Sequence, residues 1–441
     1  MNFSILLVIL VTVMGLFLLF RLRFFYVVHP IMTARELIAG LKSREVRRSF
    51  FLALAGTLGV GNIFGVAAGI MIGGPGSLFW LFISALFAMI IKYAETLLVF
   101  DSGAEQGAMS SLIRKVFHNA GVGLSRVYAL FTLMLALFMG SAMQTTALVD
   151  VAEKTFSIHP LVSIFVLLIL FSPCLFGGAR TIESITEIVI PMTTIIYIIM
   201  CFAVILLNFD RLGTAVYSIL SSAFSFRSAL GGGISFIAIR EGFSRGILSN
   251  EAGVGTSAMA HVRSKDRTPH SAGLFAMCEV VFDSLLLCML TGIAILVSPL
   301  DISAFSTPMS LVSAAFSSAL GQGFAMILPF IIFAFAYATI ICWYHYGMDC
   351  VRISFPRLSA IYTPLFVLFT LLSPAIRSDF LLYVIDFILL AMSFITLSCI
   401  AKRSRRIASV CLCAYKKNGP VHLDVIENDE KIIKHTPKIN K

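Results

Sequence analysis

Few side chains in this sequence could do chemistry, and most of those lie inside apolar runs. Arg240, Glu241, Arg245, Asn250 and Glu251 fall within the stretch REGFSRGILSNEAGVG, residues 240–255. Lys92 and Glu95 are three apart in another apolar run, so they share a helix face on which they can pair. Glu279 and Asp283 are four apart; as like charges on one face they need a cation partner or a proton, which makes them candidates for proton coupling. Asp386, alone in the last apolar run, is a weaker candidate of the same kind. A second unusual stretch, GTLGVGN at 56–62, sets Gly56, Gly59 and Gly61 beside Asn62 in the middle of a run from 49 to 73. Charge inside an apolar span is expensive and marks ion or substrate pathways.

Other chemistries lack their residues. His118, His159, His261, His270 and His345 are scattered and form no H-E-x-x-H pair, and no nucleophile motif or phosphate loop occurs. The 9 cysteines show no metal-ligand spacing. An enzyme is therefore a poor reading, and no cofactor is expected. The net charge of +10 does not point to nucleic acid, because the basic residues mark loops rather than one aromatic-rich face.

The elements that must position these groups are membrane helices. Hydrophobic residues make up 59% of the 441 residues and charged ones only 13%, about half the charge of a soluble domain. The mean hydropathy is +0.95. Eleven apolar runs read as spans: 3–20, 49–73, 77–99, 125–149, 160–176, 184–207, 230–262, 272–297, 323–345, 360–373 and 380–400. The first lacks a basic start and a cleavage site, so it reads as a retained helix with its N-terminus outside. On that topology twenty-two Lys and Arg up to Lys417 fall on the cytoplasmic side against four outside (Lys154, Arg211, Arg227 and Arg377), as the positive-inside rule requires.

This divides the chain into an extra N-terminal helix (1–24), a cytoplasmic amphipathic segment (25–48), five spans (49–207), an outer loop helix (208–229), five further spans (230–400) and a basic cytoplasmic tail (401–441), disordered after about Lys416. The interrupted spans 49–73 and 230–262 open the two sets of five, and the odd offset turns one set upside down relative to the other. Paired interruptions in inverted repeats locate transporter binding sites, because an unwound backbone is tolerated only around a cavity. Packing of small residues explains the glycines alone, but not the four ionisable residues of the seventh run.

At these residues the chain resembles the alanine or glycine:cation symporter family, the sodium:alanine symporters. The resemblance rests on GTLGVGNIFGVAAGIMIGGPGSLFW (56–80), KYAE (92–95), FGGARTIESITEIVIP (176–191), REGFSRGILSNEAGVGTSAMAH (240–261) and ATIICWYHYG (338–347). It implies an all-α, leucine-transporter-type fold of five plus five inverted helices with one extra N-terminal helix. It also implies sodium-driven uptake of alanine or glycine. By the same resemblance Val60, Gly61, Asn62 and Gln144 bind substrate, while Phe243 and Trp343 close a pocket around a small side chain. Carbonyls near Gly56 and Gly59, with Thr339, hold sodium. The family usually carries two adjacent hydroxyl residues where this chain has Ala338 and Thr339, which keeps proton coupling through Glu279 or Asp283 as the alternative. A second departure is the short GAEQGAMSSLI at 103–113 in place of a longer family loop.

Lys92, Glu95, Arg240, Arg245, Asn250 and Glu251 are assigned structural or gating roles, with Glu251 locked against Arg240 or Arg245. Glu183 and Glu187 are expected to cap a helix start. The function expected is a multi-pass, cell-membrane symporter for small neutral amino acids, against a channel-like or sensory relative without coupled transport. The sequence does not indicate the oligomeric state.

Overall fold

The computed structural model describes residues 3–103, 108–224, 234–264 and 267–418, and among these no strand occurs. Arg227, Lys265, most of the segment preceding Met109 and the tail beyond 418, all used in the sequence reading, lie outside the described residues. The helices follow from apolar runs punctuated by caps. They are α1 (Phe3–Arg21), α2 (Pro30–Gly40), α3 (Arg44–Thr57), α4 (Val66–Gly73), α5 (Gly76–Asp101), α6 (Ala108–Phe117), α7 (Gly121–Leu135), α8 (Gln144–Phe156), α9 (Pro160–Leu207) and α10 (Leu212–Ala223). After these come α11 (Ile234–Asn250), α12 (Ser257–His261), α13 (Pro269–Val280), α14 (Met289–Val297), α15 (Pro308–Ala325), α16 (Ile327–Ser354), α17 (Ser359–Leu372), α18 (Ser378–Lys402) and α19 (Ser404–Asn418).

Local sequence explains several starts. The Thr268 hydroxyl accepts from Ser271 N–H at 3.2 Å and Pro269 opens the helix; Thr307 and Pro308 do the same for α15, at 3.3 Å. Among the described residues eight helices are long and apolar enough to cross a membrane, and α3 with the segment Gly61–Gly73, bent by 50°, makes a ninth if the pair is one span. Two expected spans have a different form. The run at 160–176 is the shorter apolar helix Pro160–Leu175, divided from the next span at Gly178, where φ is 63° and ψ −160°. The run at 230–262 is α11, a non-helical stretch and the short α12.

Other boundaries move as well. The amphipathic segment expected at 25–48 ends early, because Ser43 caps α3 and hands residues from Arg44 onward to the broken span. Within the outer loop expected at 208–229, the described residues include α10, Leu212–Ala223. The α15 helix was not expected, nor was α19, which holds the basic residues from Arg405 to Lys417.

The hub of the molecule is α5, which packs most extensively against α11 and α13. Glycines set how closely these helices approach. A Cβ on Gly242 would lie 2.4 Å from the Ser77 carbonyl oxygen, one on Gly273 2.8 Å from the Tyr93 ring, and one on Gly292 2.5 Å from Leu78. Elsewhere, a Cβ on Gly140 would fall 2.2 Å from the Trp343 Cβ.

Candidate functional site

Each broken span ends its first helix at residues other helices hold in place. The α3 helix stops at Leu58 (φ −78°, ψ 75°), and the chain resumes as a π-turn over Gly61–Gly65 that runs into α4. Gly59 N–H donates to Asn62 Oδ1 at 3.2 Å, and Val60 N–H to Gln144 Oε1 at 3.1 Å. Gln144 follows a second π segment, Ala136–Met143. Such bulges recur at functional sites, because they re-aim the side chains of one turn. From α16, Trp343 Nε1–H donates to the Gly56 carbonyl at 3.1 Å.

The Thr339 hydroxyl oxygen lies 3.0 Å from the Ala55 carbonyl oxygen, 3.2 Å from that of Leu58 and 2.9 Å from that of Phe335. One hydroxyl proton can serve only one of the three at a time. Four hard oxygens thus converge at the carboxyl end of α3, where the helix dipole is negative, a donor set suited to a small hard cation. The carbonyls that reach Thr339 are those of Ala55 and Leu58, the residues just before Gly56 and Gly59. Ala338 is buried beside Thr339 and brings no oxygen from its side chain.

Next to this cluster a small cavity is lined by Gly56, Thr57, Gly59, Gly61, Asn62, Met139, Met143, Gln144, Leu248, Glu251 and Thr339. A Cβ on Gly61 would meet nothing within 4 Å, whereas one on Gly59 would lie 2.9 Å from Gln144 Oε1. Phe243 and Trp343 are not among the lining residues. The Phe243 ring stacks near Phe87 and Trp80, each 6.3 Å away between centroids, and Trp343 packs on Tyr346.

The second break runs from Glu251 to Thr256 and carries three residues with positive φ: Glu251 (54°), Gly253 (84°) and Gly255 (88°). Asn250 Oδ1 accepts from Ala252 N–H at 3.0 Å, and its amide donates to Ser284 Oγ at 3.1 Å. The freed Val254 carbonyl accepts from the Tyr128 hydroxyl at 2.9 Å and from Thr396 at 3.2 Å.

The ionisable residues pair differently from the expectation. Lys92 reaches Glu279 at 2.8 Å rather than Glu95, and both side chains are fully buried. Glu95 instead accepts from Gly253 N–H at 3.1 Å and so fastens the second break to α5. Glu279 also receives the Ser257 hydroxyl at 2.9 Å and the His261 Nε2. Arg267 donates to His261 Nδ1 at 2.7 Å and to the Val46 carbonyl at 2.6 Å, so the proton of His261 sits on Nε2, facing Glu279. Asp283 is separate from Glu279: its Oδ1 accepts from Ser249 Oγ at 2.5 Å and from the Asn62 amide. Arg240 and Arg245 both bind Glu241, at 2.6 and 2.9 Å, so neither locks Glu251. Glu187 pairs with Arg48 at 2.7 Å, and Glu183 with Arg263 at 3.1 Å, in place of the helix caps expected of them. Arg263 also binds Asp349 at 2.9 Å and contacts His345. Asp386 accepts from Ser4 at 2.6 Å.

The structure therefore gathers Gly61, Asn62, Gln144 and Thr339 at one cavity, with Val60 hydrogen-bonded to Gln144. Ser249, Leu248, Met139 and Met143 were missed. The i, i+4 spacing of the two methionines just before Gln144 was the available signal for them.

An all-α bundle whose two broken helices face a small central cavity defines an ion-coupled membrane transporter of the leucine-transporter type. The chain belongs to the sodium:alanine symporter family, which it matches over residues 1–422. It is 31% identical over 354 residues to the sodium/alanine symporter AgcS of Methanococcus maripaludis, covering 76% of this chain and 78% of that one. It is 30% identical over 359 residues to the "Probable sodium/glutamine symporter GlnT" of Bacillus subtilis, covering 78% and 73%. Among solved structures, a Na+-coupled sialic acid symporter shares the fold at a TM-score of 0.53 and 12% identity, covering 90% of this chain and 86% of the other. A manganese transporter of Eremococcus coleocola does so at 0.53 and 13%, covering 89% and 91%. The protein is thus a multi-pass, sodium-coupled amino-acid symporter rather than an enzyme.

Proposed function

We propose that the protein imports a small neutral amino acid, alanine or glycine, with sodium across the cell membrane by alternating access, its N-terminus outside and its C-terminus cytoplasmic. The observation that carries the reading is the cavity at the first break, adjoined by the Ala55, Leu58, Phe335 and Thr339 oxygens. The amino end of the Gly61–Gly73 half presents a positive dipole pole to the substrate carboxylate, and the carboxyl end of α3 presents carbonyls to sodium. Met139, Met143 and Leu248 line the cavity and are the side chains that would limit the substrate's own side chain to about a methyl group. The ion pairs Arg48–Glu187 and Arg263–Glu183 tie α3 and the chain following α12 to α9, and on the proposed topology they close the cytoplasmic side.

A second reading, coupling to protons, is narrowed by the geometry. Glu279 has a lysine partner, which leaves Asp283, hydrogen-bonded to Asn62 at the cavity, as the group that would carry a proton. Uptake of labelled alanine into proteoliposomes at fixed membrane potential, with each ion gradient imposed alone, tests the choice. Accumulation on the sodium gradient supports symport with sodium; accumulation on a pH gradient without sodium overturns it.

A further inference from the structure

We infer that Glu251 is the residue that binds the substrate's α-ammonium group, an inference that rests on the amino-acid symport reading above. Of the residues lining the cavity, Glu251 alone carries an ionisable side chain, and the residue is 2% exposed. Its carboxylate accepts the Thr256 hydroxyl at 2.7 Å through Oε2. Among the described residues no ion pair reaches it: Arg240 and Arg245 are held by Glu241, and Lys92 by Glu279. A buried carboxylate with only a neutral partner is strongly unfavourable unless a cation joins it or it takes up a proton. A cation carried in by the substrate meets that need and leaves with it.

The backbone supports the same assignment. Glu251 holds a φ of 54°, a conformation that residues other than glycine and asparagine seldom adopt, although glycines stand nearby at 253 and 255. Strain of this kind persists where the surrounding structure enforces it, and it clusters at ligand clamps. The Thr256 hydroxyl that binds Glu251 belongs to the residue just before α12, so the carboxylate is held from the far side of the break. Across the cavity, Gly61 opens the half-helix whose amino end suits a carboxylate. The two charged groups of a zwitterion then face opposite sides of one small space, and the α-carbon substituent is left to the methionines and Leu248.

The test uses full-length protein in proteoliposomes with three probes: L-alanine, propionate (the same carboxylate without the ammonium) and sodium alone, the last followed by tryptophan fluorescence. Glu251→Gln should weaken alanine at least about 30-fold, the lower range for removing one partner of a buried charge pair. Weak competition by propionate and sodium binding without amino acid should both stay within about twofold of wild type. Equal loss of alanine and propionate, loss of sodium binding, or no change at all would each overturn the assignment. Should Glu251→Gln fail to reach the membrane, Thr256→Val keeps the carboxylate and removes the hydroxyl that aims it. A several-fold loss confined to alanine supports the assignment, and an unchanged or equal response of alanine and propionate overturns it. If wild-type protein shows no sodium-driven uptake of alanine or glycine, the symport reading fails first; if wild type transports and the variants match it, only the role of Glu251 fails.

Discussion

Gly61→Ala is the most direct probe of the cavity. A Cβ at this position meets no atom within 4 Å, and Gly61 is not among the glycines with positive φ, so the added methyl strains neither packing nor backbone. Gly61 lines the small cavity at the first break, and a methyl there meets no protein atom. It therefore competes with the substrate's own side chain. A pocket that gains or loses one methylene discriminates by about 1–3 kcal/mol, or roughly 10–200-fold. Alanine should lose about that much in half-saturation, while glycine, which brings no methyl, should lose far less. Initial rates of labelled alanine and glycine uptake in proteoliposomes measure the ratio, with thermal stability in detergent unchanged as the control. Gly59→Ala supplies the contrast: its methyl would collide with Gln144 Oε1 at 2.9 Å and should impair both substrates together. A well-folded Gly61→Ala protein with an unaltered alanine-to-glycine ratio would refute the placement of the substrate.

Three further outcomes are expected. Thr339→Ala removes the one side-chain oxygen among the four that converge at α3, and should raise the sodium requirement much more than the alanine requirement, whereas Ala338→Ser should lower it; sodium titrations of uptake at saturating alanine read both. Gln144→Ala leaves the Val60 N–H without its acceptor and should weaken alanine binding by about 1–3 kcal/mol with near-normal expression, an effect that equilibrium binding in detergent would detect. Lys92→Met takes the lysine from the buried Glu279, leaving it Ser257 and His261, and should destabilise the protein by up to about 3–5 kcal/mol. Adding Glu279→Gln should restore part of that in a melting experiment, and no restoration would show that the pair is not the cause.

The breaks in both helices could be read in the sequence because glycine and asparagine stand out in an apolar run. The pairing of charges could not. Spacing along one helix shows that Lys92 and Glu95 are neighbours, but it carries no information about Glu279, which arrives from α13 and takes the lysine. The same limit explains Glu251, whose supposed arginines turn out to be held by Glu241 on their own helix. The reading of Phe243 came from resemblance alone, and a single aromatic on a helix does not declare which neighbour it faces. The α15 helix had its signal, Thr307 before Pro308, but its serines and glycines hid it from a search for apolar spans. The π segments at 136–143 and 281–288 leave no trace in composition, yet they aim Gln144 and Asp283.

The glycine contacts around α5 also determine how motion is transmitted. Gly242, Gly273 and Gly292 bring α11, α13 and α14 so close to α5 that a Cβ added at any of them would meet α5 atoms at 2.4 to 2.8 Å. These helices must then turn as one piece. Gly140 against Trp343 welds a second piece on the other side of the cavity. Between two such stiff bodies little slack remains to absorb a ligand's pull. Under the alternating access proposed above, the work done when a substrate or a cation draws the broken helices inward would be delivered to the far end of each body as displacement, instead of being lost in local rearrangement of side chains.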